Sequence, residues 1–335
     1  MVSWGGRGLG VSLVVSAVCC CLATQALAGG VQIRRVDTRG YPTVKVLVLA
    51  PSLTEAAPTL SQDSAPVVGL VAENLANQES VVLVIDHSQS MHGRALADAV
   101  QAARDFVTAK PAADQIGVIT VSSQAQTLAD FSSDGSSAAA ALQGLAIDTR
   151  YGTVLWDAIR TAADTLRAHG LLGRTIILVT DGQETTSKTT LREAVQAAQA
   201  AHAAIYTVGV RDSTYTPLPL QQLAAATGGR FYPALRTAQL PSIYAAISAE
   251  LRRSWLLSYA TAARPGDTLK LEVESAGTRA TTTTTLSHQL ANPDKASSSE
   301  TLLTLTLILT AGLLLAGLTF AYRNLRLPRL HTDDF

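Results

Sequence analysis

Five oxygen-bearing side chains could act together in this chain: Asp86, Ser88, Ser90, Thr153 and Asp181. The first three fall two residues apart, immediately after the apolar run Val81-Val82-Leu83-Val84-Ile85. Such a run reads as a buried strand that brings a carboxylate to its C-terminal end, with two hydroxyls following. Asp181 ends a second run of this kind, Ile176-Ile177-Leu178-Val179-Thr180, and Gly182 permits a tight turn after it. Thr153 follows Gly152, just ahead of a helical stretch beginning near Leu155. Carboxylate and hydroxyl oxygens suit a hard divalent cation, Mg²⁺ first with Mn²⁺ or Ca²⁺ as alternatives, rather than zinc or copper. Taken singly, D-x-S-x-S is a weak signal, because Ser and Asp also populate turns and helix N-caps. The plain alternative makes Asp86 and Asp181 helix caps and Thr153 a turn residue.

The elements that must position these residues follow from hydrophobic periodicity. Between residues 79 and 252, strands are expected at 81–86, 115–121, 174–180 and 204–210. Helices are expected at 94–109, 155–168, 190–201, 219–227 and 239–252. This alternation predicts an α/β fold: a doubly wound, mostly parallel sheet flanked by helices. In such sheets ligands sit beyond the carboxyl ends of the strands, where Asp86 and Asp181 fall. Residues 29–78 alternate like strands, broken by Gly40-Tyr41-Pro42 and Pro51. Residues 253–286 return to strand character around the turn Arg264-Pro265-Gly266-Asp267. These two segments are expected to join as a small β-rich accessory element, followed by a polar linker at 287–300.

On these residues the stretch 79–252 resembles a von Willebrand factor A (VWA) domain. Asp86-x-Ser88-x-Ser90, Thr153 and Asp181 match every coordinating position of the family's metal-ion-dependent adhesion site. Gln89 stands where bacterial members often carry glycine, a position that does not coordinate. The stretch Leu223-Ala224-Ala225-Ala226-Thr227-Gly228-Gly229-Arg230-Phe231-Tyr232 also resembles bacterial VWA domains near their last helices. The resemblance implies that Ser88 and Ser90 bind the cation through their hydroxyls, and Thr153 directly or through water. Asp86 and Asp181 would supply charge, and one coordination position would stay open for a carboxylate of a protein partner.

Other chemistry is less well supported by the sequence. His87 and His92 flank the site, yet imidazole does not suit a hard cation, so surface or supporting positions are expected for both. Ser88 with His169 or His202 and Asp157 would supply the residue types of a hydrolase triad, but no G-x-S-x-G nucleophile elbow occurs and no enzyme is expected. Asp130, Asp134 and Asp148 read as solvated loop acids. Trp156, Trp255 and Tyr259 read as packing residues.

The two ends set the expected location. The chain has 335 residues and balances 26 basic against 26 acidic side chains, which gives no support to nucleic-acid binding. Residues 1–28 read as a signal peptide: Arg7, an apolar stretch, then Ala26-Leu27-Ala28. All three cysteines, Cys19, Cys20 and Cys21, lie within it. A mature chain would then carry no disulfide, and with no N-x-S/T sequon it fits a bacterial envelope protein. Residues 301–322 are uncharged and long enough to span about 30 Å of hydrocarbon at about 1.5 Å per residue. Arg323, Arg326 and Arg329 begin a basic tail at 323–335, cytoplasmic by the positive-inside rule. The expectation is a type I single-pass protein of the cell membrane with its VWA domain outside. Its leading function is cation-dependent capture of an acidic residue on a protein partner. The alternative is a scaffold or assembly role in an envelope machine of the pilus or secretion type, with a structural metal site.

Overall fold

The computed structural model describes residues 30–286 apart from 54–55, 77, 169–170 and 212–214. The expected signal peptide, linker, membrane helix and basic tail lie outside the described residues. Among the described residues no helix is long and apolar enough to cross a membrane.

Among the described residues the first elements are five strands: β1 (Gln32–Asp37), β2 (Thr43–Leu49), β3 (Thr59–Gln62), β4 (Ala65–Pro66) and β5 (Val71–Asn74). The α/β part follows as β6 (Glu79–Asp86), α1 (Arg94–Ala109), β7 (Gln115–Val121), β8 (Ala125–Ser132), α2 (Gly135–Gln143) and α3 (Leu155–Ala168). It continues with β9 (Gly173–Thr180), α4 (Leu191–Ala200), β10 (Ala204–Val210), α5 (Pro217–Thr227), β11 (Phe231–Ala234) and α6 (Leu240–Leu251). The last strands are β12 (Ser254–Ala260), β13 (Thr268–Ser275) and β14 (Thr278–Thr285).

Six strands form the central sheet in the order β11-β10-β9-β6-β7-β8. All its pairings are parallel except β7 with β8. Every residue of β6 is buried, as expected of a middle strand covered on both faces. Val81, Leu83 and Ile85 face α1, α2 and α6, while Val82 and Val84 face α3, α4 and α5. The sheet is therefore doubly wound, and its five parallel strands deliver their C-terminal ends to one edge. The sequence reading did not anticipate β8, α2 or β11. β8 is an edge strand in which only Ala129 is fully buried, and α2 buries only Ala138 and Leu142.

The outer strands build a sandwich. One sheet runs β1-β2-β12-β5 and the other β14-β13-β3-β4. Val44, Val46 and Val48 of β2 point into the core between them, together with Trp255, Leu257 and Tyr259. The opposite face of β2, carrying Lys45 and Leu47, turns towards the N-terminal pole of the central sheet. Trp156 is likewise packed, in the core beneath α3.

Candidate metal centre

Strands β6 and β9 are parallel neighbours with Ile85 opposite Val179. Asp86 thus stands level with Thr180, and Asp181 one step beyond. Both aspartates are fully buried, and each binds the start of the loop that follows it. Asp86 Oδ1 accepts from the Ser88 amide at 2.9 Å, and Asp181 Oδ1 from the Gln183 amide at 3.0 Å. Asp86 Oδ2 accepts from the Thr180 hydroxyl at 2.6 Å, and that hydroxyl accepts from the Gly182 amide at 3.0 Å.

The loop after β6 enters a short 3₁₀ turn, Gln89–Met91, anchored by the buried Met91 side chain. It brings the Ser88 and Ser90 hydroxyl oxygens to 3.1 Å of one another. Thr153 arrives from another direction and is clamped through its backbone. Its amide donates to Thr185 Oγ1 at 2.7 Å, and its carbonyl accepts from the Thr185 amide at 3.0 Å. The Thr153 hydroxyl makes no hydrogen bond among the described residues. Ser88, Ser90 and Thr153 line one cleft of about 670 Å³, with Gln183 and Thr185 on the Asp181 side. Asp86 and Asp181 do not line it; they sit buried behind the hydroxyls.

This donor set fits a hard divalent cation. Among the described residues no three His, Cys, Asp or Glu side chains group as a metal site, so a cation here would depend on hydroxyls backed by two acids. Burial pushes the Asp86 carboxyl up to about 6, against the pull of bonds from Ser88 and Thr180, and the neighbouring Asp181 charge raises it further. Two adjacent buried carboxylates repel, and a dication between or above them would relieve that repulsion. Among the described residues no Asp or Glu lines the cleft itself.

Several neighbours carry roles the sequence did not show. Glu184 bonds the Leu155 amide at 2.7 Å and so caps α3 from a distant loop, just beyond Thr153. Thr180 and Thr185 fix the two clamps described above. These residues are polar positions beside Asp181, and that proximity was the available signal. Asp148 is not the solvated loop acid expected: it takes bonds from Ser122, Ser123 and Arg150, whose guanidinium first and the Ser122 hydroxyl next hold its carboxyl well below the usual range. Asp134 caps α2 by accepting from the Ser136 amide, and Asp130 is exposed. Asp157 ties α3 to the Lys188 and Thr189 amides. His87 places Nδ1 2.8 Å from the Ala146 carbonyl, and His92 is exposed on the cleft wall. His202 precedes β10 and lies at the opposite pole of the sheet from Ser88, while His169 is outside the described residues.

A doubly wound sheet with helices on both faces and an oxygen-lined cleft at its carboxyl edge places the protein in the α/β class. Residues 80–246 match the family model of the von Willebrand factor type A domain, and the chain carries such a domain over this span. Solved structures resemble the chain at low identity. A von Willebrand factor type A protein from Catenulispora acidiphila is 12% identical, with 79% of this chain and 77% of that one aligned at a TM-score of 0.50. An aerotolerance-related membrane protein from Bacteroides fragilis is 20% identical over 52% of this chain and 98% of its own, at a TM-score of 0.46. BatB from Bacteroides thetaiotaomicron is 23% identical over 52% and 97%, at a TM-score of 0.44. No curated protein sequence matches the chain.

Proposed function

We propose that this protein captures an acidic residue of a protein partner through a divalent cation, Mg²⁺ first. Ser88, Ser90 and Thr153 would hold the ion, with Asp86 and Asp181 balancing its charge. When bound, the cation supplies an electrophilic point to which a carboxylate of the partner adds as a further ligand. The observation that carries this reading is the gathering of three hydroxyls in one cleft, in front of two buried carboxylates. Loop rigidity supports it as well, because the backbone clamps on Thr153 and Ser88 hold the donors in place before any ion arrives. The apolar stretch 301–322 and the arginines that follow support anchoring to the cell membrane with this cleft outside.

The test is calorimetric titration of the full chain with Mg²⁺, followed by partner capture from envelope extract with Mg²⁺ or EDTA. Asp86→Ala is expected to abolish both the Mg²⁺ heat and the capture while the circular dichroism spectrum is kept. Capture that persists after cation removal would overturn the adhesion reading and leave a scaffold role.

A further inference from the structure

A second cavity, of about 120 Å³, lies at the pole opposite the cation cleft, in the seam between the central sheet and the sandwich. Its floor is built by the first residues of β6, β9 and β10, and its roof by β2 and β12. Glu79 and Tyr206 are both buried on the floor, at 3% and 4% exposure. Glu79 accepts a hydrogen bond from Thr175 at 3.2 Å. Tyr206 lines the cavity, and its hydroxyl has no hydrogen-bond partner among the described residues. Lys45 reaches the same space from β2 and has no ion-pair or hydrogen-bond partner among the described residues.

The other charges at the rim are already engaged. Arg35 donates to the carbonyls of Ala203, Thr227 and His202, and Arg174 to those of Leu171 and Ala201. Asp37 is held by Arg39 and by the His202 ring. The unengaged groups are therefore a phenol donor and an ammonium, beside a carboxyl that burial pushes up to about 8 and so keeps largely protonated near neutral pH. Against these donors stand the apolar walls Leu47, Leu75, Leu251 and Leu256. A donor-rich, cationic end facing leucine calls for a ligand that is an anion at one end and aliphatic at the other. An apolar cavity of about 150 Å³ accepts a six-carbon ring, so this space suits roughly six non-hydrogen atoms.

We infer that the seam cavity is a binding site for a short aliphatic carboxylate, its carboxylate taken by Tyr206 and Lys45 and its chain by the leucine walls. The inference stands apart from the cation reading, because it uses none of the same residues. Titration calorimetry of the full chain tests it, with butyrate as the probe, n-butanol as its uncharged counterpart and inorganic phosphate as an anion without a tail. Saturable heat is expected for butyrate alone. Tyr206→Phe, which keeps the ring and its packing, is expected to weaken butyrate at least about tenfold, as loss of a hydrogen bond to a charged group implies. Lys45→Met is expected to act in the same direction. Absence of saturable butyrate binding would overturn the inference, as would equal binding of phosphate or n-butanol, or unchanged affinity in both variants.

Discussion

Thr180 shows how the candidate centre is governed by a residue that would not bind the cation. Its hydroxyl donates to Asp86 Oδ2 at 2.6 Å and accepts from the Gly182 amide, so it holds one acid while shaping the turn after the other. Replacing it with Val keeps the β-branched strand packing and removes both bonds. We expect Thr180→Val to lower Mg²⁺ affinity by about 10- to 100-fold, as loss of an outer-shell partner does elsewhere. The free energy of unfolding without cation is expected to fall by about 1–3 kcal/mol, because a buried acceptor loses its donor. Calorimetry with Mg²⁺ and urea unfolding measure the two effects separately. A stability loss with unchanged affinity would show that Thr180 serves the fold alone. A second residue-level prediction concerns Gly182, whose φ is +86° and where an added Cβ would lie 2.6 Å from the Thr216 carbonyl oxygen. Gly182→Ala is expected to destabilise by about 1–3 kcal/mol in the same urea assay, since the strained conformation and the clash act together. The five oxygens were legible in sequence because each stands where an apolar run ends or a helix begins. Thr180, Thr185 and Glu184 were not, because their partners lie up to about a hundred residues away or on another loop, and no local spacing records such contacts.

At the scale of elements, the centre is a meeting of loops whose positions are set by strands and helix ends. Helices α1 and α3 are read closely from periodicity alone, because Leu96, Ala99, Ala103 and Phe106, or Leu155, Ile159, Ala162 and Leu166, repeat at the helical interval. The cap of α3 could not be read that way. Glu184 belongs to the loop after β9, yet its Oε2 takes the Leu155 amide and the Ser187 hydroxyl, and its Oε1 the Ser187 amide. One side chain thus joins the start of α3 to the loop that clamps Thr153. Glu184→Ala is expected to cost about 0.5–2 kcal/mol, the range for loss of a helix cap. It should also loosen the Thr153 clamp, so Mg²⁺ affinity is expected to fall while the affinity of Asp86-side variants is not further reduced in the double substitution with Thr180→Val. Additive losses in that double-mutant cycle would show instead that the two loops contribute independently.

At the scale of the molecule, the N-terminal and C-terminal strands close on each other and press one sheet of the sandwich against the base of the VWA domain. β12 continues from α6 and enters the sheet between β2 and β5, which ties the last helix to the first strands. Glu250 at the end of α6 reinforces the tie by binding Arg34 of β1 at 2.8 Å, Arg230 at 3.0 Å and the Tyr232 hydroxyl at 2.8 Å. Within this seam sits Glu79, folded over Gly173 so closely that a Cβ there would approach its carboxyl carbon to 2.5 Å. Burial raises the Glu79 carboxyl from 4.5 to about 8, Thr175 pulls it partly back, and the Asp114 charge adds to the rise. The folded protein therefore binds this proton more tightly than the unfolded chain does. Its contribution to stability is complete below pH about 4.5 and is lost as pH climbs to about 8, where the buried group must ionise. Glu79→Gln keeps the shape and stays neutral at every pH, so it removes that loss. In urea unfolding at fixed Mg²⁺, the stability of Glu79→Gln relative to the parent chain is expected to increase steadily between pH 5 and 8 and to level off above. Comparing the two proteins at each pH cancels the titration of Asp86, which shifts in the same direction without cation. A difference that does not change with pH would mean that Glu79 ionises in the seam at no cost to the fold, and that water reaches the base of the sheet.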